Sequence, residues 1–184
     1  LRTHERFMRA LAAGTRRPVI GLEYRLAPEA PLPVMVFIHG GANLGGRGEW
    51  AVEGDLHQQG VVVASLQYRL GALGFMAHPS LSAESDSGAS GNYGLMDQQA
   101  ALRWIRENIA AFGGDPDNVT IFGSSAGSQG VALQMLAPGS RGLFDKAIQQ
   151  SGTMGFGLPP RTLADGELLG MNIAEAAGLP RTAS

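Results

Sequence analysis

The clearest structural signal in the sequence is VTIFGSSAGSQG, residues 119–130. It opens with an apolar run of β-type residues, passes through Gly-x-Ser-x-Gly around Ser125, and enters a helix-capable segment that ends at residue 136. A strand followed at once by a helix is the building unit of α/β folds. The stretch therefore predicts an α/β domain in which Ser125 follows the end of a buried strand.

The Gly-x-Ser-x-Gly pattern also predicts chemistry. Such a nucleophile elbow exposes the serine hydroxyl on a sharp strand-to-helix turn, and Gly123 and Gly127 omit side chains where the two backbones approach. In this interpretation Ser125 is the nucleophile, and Ala126 donates a backbone N–H to the oxyanion of the tetrahedral intermediate. A chain with 27 glycines could form the pattern by chance as a structural turn. The strand before it and the helix after it favour the nucleophile.

Across the chain, apolar runs predict a mostly parallel sheet of about five strands flanked by helices. The strands are expected at residues 18–24, 34–38, 61–68, 119–122 and 146–150. Helices are expected at residues 3–13, 51–59, 126–136 and 163–177, with a longer one between the polar loop 80–91 and Gly113. Residues 115–118, DPDN, are predicted to form a turn.

The bulk composition suits one ordinary globular domain over residues 1–184, with 44% hydrophobic and 16% charged residues. A formal net charge of −2 gives no general attraction to nucleic acid or to an anionic membrane. The absence of cysteine excludes disulfides, thiol catalysis and cysteine-zinc sites. Together with the absence of a signal-type apolar stretch, it favours a cytoplasmic location. No metal or organic cofactor is implied.

A second motif, FIHGGANLGG at residues 37–46, places a glycine-rich loop directly after a strand. In this glycine loop, residues 39–43, Gly41 and Ala42 are the candidate oxyanion donors that complete the oxyanion hole with Ala126. We expect His39 and Gly40 to support the loop, with His39 orienting it. A plain turn or a phosphate cradle are the alternatives, but no Lys-Ser/Thr follows to make a P-loop.

From about residue 32 to 152 the chain resembles the type B carboxylesterases, the cholinesterase-like branch of the α/β-hydrolases. The resemblance rests on LPVMVFIHGG, GVVVASLQYRLGALGF, the stretch from GNYGLMDQQ to FGSSAG, and LFDKAIQQSG. It implies a serine esterase that hydrolyses small acyl esters through an acyl-serine at Ser125. It also implies that Ser151, in QSG, supports the acidic member of a catalytic triad. The family fold has eight strands, so this chain is expected to be a truncated α/β-hydrolase without its carboxyl-terminal part.

The chain departs from that family at several positions. Ser124 replaces the usual glutamate before the nucleophile, and Ala42 replaces the third glycine of the HGGG loop. Residues 1–31 instead resemble the hormone-sensitive-lipase-like esterases around YRLAPE, which suggests an origin in a different esterase family. VIGLEYRL, residues 19–26, accordingly aligns with VASLQYRL, residues 63–70.

The general base is the open question, because all four histidines precede Ser125 and the family's histidine lies far downstream. His78, on a loop after a strand, and His57 are the candidate bases within the chain, and another chain is the remaining source. The alternative function is a non-catalytic or inactive hydrolase-fold fragment, and a nucleotide-binding module is a weaker third. An exposed sheet edge would also favour a homo-oligomer.

Overall fold

The computed structural model describes residues 20–23, 30–51, 55–155 and 161–181. Within these ranges five strands form one sheet: β1 (Ile20–Glu23), β2 (Leu32–Ile38), β3 (Val62–Leu66), β4 (Gly114–Ser124) and β5 (Lys146–Gln150). Their order across the sheet is β1-β3-β2-β4-β5. The pairing of β1 with β3 is antiparallel and the other three pairings are parallel, so the predicted sheet is confirmed.

Five α-helices accompany the sheet in the described ranges: α1 (Gly71–Phe75), α2 (Pro79–Ala83), α3 (Tyr93–Asn108), α4 (Ala126–Leu136) and α5 (Leu163–Ala176). Short 3-10 helices lie at Gly48–Ala51, Leu56–Gln59, Ile109–Phe112 and Pro138–Ser140. The predicted helices that become α3, α4 and α5 are therefore present. The helix predicted at residues 3–13 lies outside the described residues.

The core lies where the central strands meet the apolar face of α3. All of β3 is buried, as are Val34, Val36 and Ile38 of β2. Residues of strands and helix pack into one cluster, to which α3 and the turn after it contribute Leu102, Ile105 and Ile109, each 0% exposed. Their helical spacing places these three residues on one face of the helix.

This packing predicts a large stability loss when Ile105 is shortened. Ile105→Ala is expected to lower the free energy of unfolding by about 2–5 kcal/mol, because it loses buried apolar area and leaves a cavity. Met96→Ala, on the same helix but at a side chain that is 55% exposed, is the matched control and should cost under about 0.5 kcal/mol. Guanidinium unfolding measures both variants, and equal losses would contradict the packing described for α3.

The turn predicted at residues 115–118 is wrong, because these residues lie inside β4. The local chemistry is that of a turn, since Asp115 Oδ1 accepts the N–H of Asp117 at 2.9 Å. However, Gly114 already pairs with Leu32, and the register shifts before Val34 pairs with Val119. The turn residues thus form an irregularity within a paired strand, where the continuing ladder outweighs the local signal.

Two further segments differ from prediction. The expected polar loop 80–91 begins inside α2, because Pro79 occupies the first helical turn and the His78 side chain accepts the N–H of Ser80 as an N-cap. The helix expected at residues 51–59 is replaced by the 3-10 helices Gly48–Ala51 and Leu56–Gln59, while residues 52–54 lie outside the described ranges.

Candidate active site

Ser125 forms a sharp turn between β4 and α4. Its φ of 56° and ψ of −124° are unusual for a residue with a side chain, and α4 begins at the next residue. The Ser125 N–H donates to the Gln150 carbonyl at 3.0 Å, and the Ser125 carbonyl accepts the Gln129 N–H at 3.0 Å. The elbow is therefore held by β5 on one side and by the first turn of α4 on the other.

Two glycines allow the elbow to approach the end of β2. A Cβ at Gly123 would lie 2.6 Å from both the Gly127 carbonyl carbon and the Ile38 oxygen. A Cβ at Gly127 would collide with the Ile38 oxygen and lie 2.8 Å from the His39 carbonyl carbon. The structure thus places both predicted glycines where β2, β4 and α4 meet without room for side chains.

The glycine loop lies directly against the elbow. A Cβ at Gly40 would be 2.6 Å from the Ser124 oxygen and 3.3 Å from the Ser125 Cβ. Beyond it, Gly41, Ala42 and Asn43 all have positive φ, at 107°, 55° and 59°. Only the first is a glycine, so the loop stores backbone strain that its surroundings must hold. The start of the glycine loop therefore lies beside the predicted nucleophile, and the predicted donors Gly41 and Ala42 follow Gly40 in the same loop.

His39 is enclosed behind this loop. It is 0% exposed and its ring stacks on Tyr68 with centroids 4.4 Å apart, while Trp50 approaches edge-on at 6.3 Å. A carbonyl only accepts, so the 2.8 Å contact between Nδ1 and the Gly40 oxygen places the ring hydrogen on Nδ1. Burial lowers the pKa of His39, which keeps the ring neutral at pH 7.

The QSG segment, residues 150–152, packs against the elbow. A Cβ at Gly152 would be 2.5 Å from the Ser125 carbonyl oxygen, and the Ser128 hydroxyl donates to the Gly152 carbonyl at 2.6 Å. Ser151 has a φ of 53° and an exposed side chain. Its position is close to Ser125, while its role in supporting an acidic residue stays a prediction.

The two candidate bases lie in different surroundings. His78 is 8% exposed, its Nδ1 accepts the Ser80 N–H at 3.2 Å, and its Nε2 has no partner among the described residues. His57 lies in Leu56–Gln59, just before the amino end of β3, whereas Ser125 follows the carboxyl end of β4. Because β3 and β4 are both parallel to β2, His57 lies near the amino ends of these strands, whereas Ser125 lies at their carboxyl ends. Within the described residues, no histidine nitrogen contacts the Ser125 hydroxyl.

Two residues that were not predicted from the sequence, Tyr68 and Arg69, shape this region. The Tyr68 hydroxyl donates to the His39 carbonyl at 2.7 Å. Its neighbour Arg69 forms a bidentate salt bridge with Asp97 of α3, with Nε and Nη2 each 2.8 Å from a carboxylate oxygen. The repeated Tyr-Arg-Leu sequence was the available signal, because nothing in a simple strand pattern requires those polar side chains.

A groove of about 570 Å³ opens beside the glycine loop. Its walls come from Ala42 and Leu44, from α1 and the residues after it, and from α5. Most lining side chains are apolar, and a volume of this size suits a small organic ligand.

In the part of the chain that the structure describes, no group of acidic and histidine side chains could hold a metal ion. No helix within the described ranges combines the length and apolar character needed to cross a membrane.

The fold and the elbow, faced by a glycine-rich loop, define the α/β-hydrolase class. The family model described as "Carboxylesterase family" matches residues 23–164, more than half of the chain, so the chain belongs to that family. Fumonisin B1 esterase of Sphingopyxis macrogoltabida is 43% identical over 176 residues, covering 92% of this chain and 32% of that protein. Para-nitrobenzyl esterase of Bacillus subtilis (strain 168) is 52% identical over 132 residues, covering 68% of this chain and 26% of that protein.

A solved structure supports the same assignment. A thermophilic PNB esterase superposes with a TM-score of 0.78 at 41% identity, covering 90% of this chain and 33% of that one. The chain therefore spans about a third or less of the lengths of these relatives. The resemblance to type B carboxylesterases inferred from the motifs is confirmed.

Proposed function

We propose that the chain hydrolyses carboxylic esters through an acyl-enzyme formed at Ser125. The observation that carries the proposal is the positive-φ turn of Ser125, with the glycine loop packed directly against it. Membership of the carboxylesterase family supports the reaction class. Since the relatives are about three times longer or more, the activity of this chain by itself is part of the proposal.

The reaction begins when the Ser125 hydroxyl oxygen attacks the ester carbonyl carbon and its proton passes to a base. The carbonyl oxygen becomes an oxyanion, for which Ala126 at the start of α4 and Gly41 and Ala42 of the glycine loop supply N–H groups. One such donor is worth about 3–4 kcal/mol in the transition state. The tetrahedral intermediate then expels the alcohol, which takes up the proton, and water releases the acid from Ser125 by the same steps.

The substrates we propose are small uncharged acyl esters. The groove of about 570 Å³ reaches Ala42, so a group attached to the reacting carbonyl has an apolar space beside the oxyanion donors. Most of its lining side chains, such as Phe75 and Leu169, are apolar and offer contact area rather than specific hydrogen bonds. Acyl or alcohol parts of modest length would therefore be accepted without strong selection.

For the base we keep the two predicted candidates, His78 and His57. The Nδ1 of His78 accepts the Ser80 N–H, so a neutral ring carries its hydrogen on Nε2. His78 can therefore take the Ser125 proton only after this contact is broken. His57 would need to reach across the length of the sheet, or to serve a second copy of the chain. A homo-oligomer in which a second copy pairs with the sheet edge at β5, largely exposed, would bring such a residue from outside.

A second candidate function is a non-catalytic hydrolase-fold protein. It is favoured by the absence, among the described residues, of any histidine nitrogen at the Ser125 hydroxyl. In this case the elbow and the glycine loop have a structural role and no catalytic one.

Covalent labelling separates the two functions. A fluorophosphonate ester reacts with an activated serine and leaves a phosphonyl group on its oxygen. We expect intact-mass analysis to show one added group per chain, and peptide mapping to place it on Ser125. Ser125→Ala should stay unlabelled under the same conditions. Labelling that is absent from the wild-type chain, or spread over several serines, would favour the non-catalytic function.

A further inference from the structure

The glycine loop is held at both ends by one short segment. At its start, the Tyr68 hydroxyl donates to the His39 carbonyl at 2.7 Å. At its end, the Gly71 N–H donates to the Asn43 carbonyl at 2.6 Å. Both donors belong to residues 68–71, which we call the tie segment, directly after β3. The candidate oxyanion residues lie between these two anchor points.

The tie segment is itself fixed to α3. Arg69, between the two anchors, donates from its side chain to both carboxylate oxygens of Asp97, at 2.8 Å each. Its backbone N–H donates to the same carboxylate at 3.0 Å. Asp97 is only 10% exposed, so this charge-assisted pairing fixes the backbone from which the Tyr68 ring projects.

The Tyr68 hydroxyl is an effective anchor because it is buried. Tyr68 is 6% exposed, and its ring stacks on the His39 ring at an angle of 18°. Burial raises the pKa of the phenol, so the hydroxyl keeps its hydrogen and donates it. The His39 carbonyl belongs to the last residue before Gly40, where an added Cβ would lie 3.3 Å from the Ser125 Cβ. A shift of that carbonyl would be passed directly to the strained residues that follow it.

We propose that Tyr68 is a positioning residue, whose hydroxyl holds the glycine loop in the shape that presents the Gly41 and Ala42 N–H groups. The catalytic consequence rests on the proposed function, whereas the mechanical one does not. An oxyanion donor acts only in the transition state, so a loop that is poorly held lowers kcat and leaves KM nearly unchanged.

Tyr68→Phe tests this proposal, because it keeps the stacked ring and removes only the hydroxyl. Tyr93→Phe is the matched control, since the Tyr93 ring lies under Arg69 rather than against the loop. Amide hydrogen exchange of peptides covering residues 38–46 reads the loop directly. We expect exchange in Tyr68→Phe to be at least about tenfold faster than in the wild type, with Tyr93→Phe unchanged.

Turnover per phosphonate-labelled site gives the second readout. With p-nitrophenyl butyrate, Tyr68→Phe should lower kcat about 10- to 100-fold with KM within about threefold, because misaimed donors lose part of their effect. Unchanged exchange of the loop overturns the proposal whatever the activity. Unchanged kcat per labelled site with fewer labelled sites also overturns it, since Tyr68 then only stabilises the fold. If exchange is faster in Tyr68→Phe but the wild-type chain does not hydrolyse esters, the positioning role is supported and the proposed function is contradicted.

Discussion

If a base serves Ser125 as proposed, Ser125→Ala is expected to lower ester hydrolysis by at least about a thousand-fold in kcat/KM. The substitution removes the nucleophile, so no acyl-enzyme can form, while the glycine loop and the groove stay in place. Removing the nucleophile from a complete serine hydrolase costs on the order of a million-fold in turnover. The oxyanion hole and binding then retain roughly a thousand-fold over water.

Initial rates with p-nitrophenyl butyrate measure this effect in the purified chain. Ser124→Ala is the matched control, because it deletes the neighbouring hydroxyl at the end of the same strand. It should keep activity within a few-fold of the wild type, together with the same unfolding midpoint. Equal and slow hydrolysis by the wild type and by Ser125→Ala would contradict the acyl-serine mechanism.

Comparing the activity lost in histidine variants with that lost in Ser125→Ala identifies the base. If an imidazole takes the Ser125 proton, one of the variants His78→Ala and His57→Ala should lose nearly as much activity as Ser125→Ala, because the two groups act as one unit. The other variant should behave like the wild type. A loss for His57→Ala that grows on dilution would point to a base supplied by a second chain.

The sheet could be predicted from sequence because its apolar runs are unambiguous. The run at residues 34–38 is bounded by prolines and glycines, and it becomes the buried carboxyl-terminal part of β2. The pairing of elbow and glycine loop also followed from the sequence, because parallel strands bring their carboxyl ends to one edge. In both cases the signal was local and the tertiary consequence followed from general rules of α/β folds.

Other features depend on contacts that no local pattern contains. The irregular start of β4 results from pairing with Leu32, more than eighty residues earlier in the chain, against a clear turn signal at residues 115–118. Likewise Tyr68 looks like the end of an ordinary strand until its hydroxyl is seen at the His39 carbonyl. The base is a similar case, since spacing does not show whether a histidine approaches Ser125.

Gly127→Ala is expected to disrupt both the fold and the activity. The added Cβ would collide with the Ile38 carbonyl oxygen and lie 2.8 Å from two backbone atoms of His39. Backbone atoms at the end of a buried strand cannot move aside as a flexible side chain would. Relief therefore requires α4 to separate from β2, which costs about 3 kcal/mol or more, at the upper end of what overpacking costs.

The same separation would move the elbow away from the glycine loop, since Ser125 precedes α4 and Gly40 follows β2. A displacement near 1 Å at a reacting group costs about a hundred-fold in rate. Gly45→Ala is the control, because nothing lies within 4 Å of its added Cβ and its φ is not positive. Guanidinium unfolding and p-nitrophenyl butyrate hydrolysis measure the two variants. If Gly127→Ala keeps both wild-type stability and wild-type turnover, the close approach of α4 and β2 described above does not exist in solution, and the proposed oxyanion geometry loses its support.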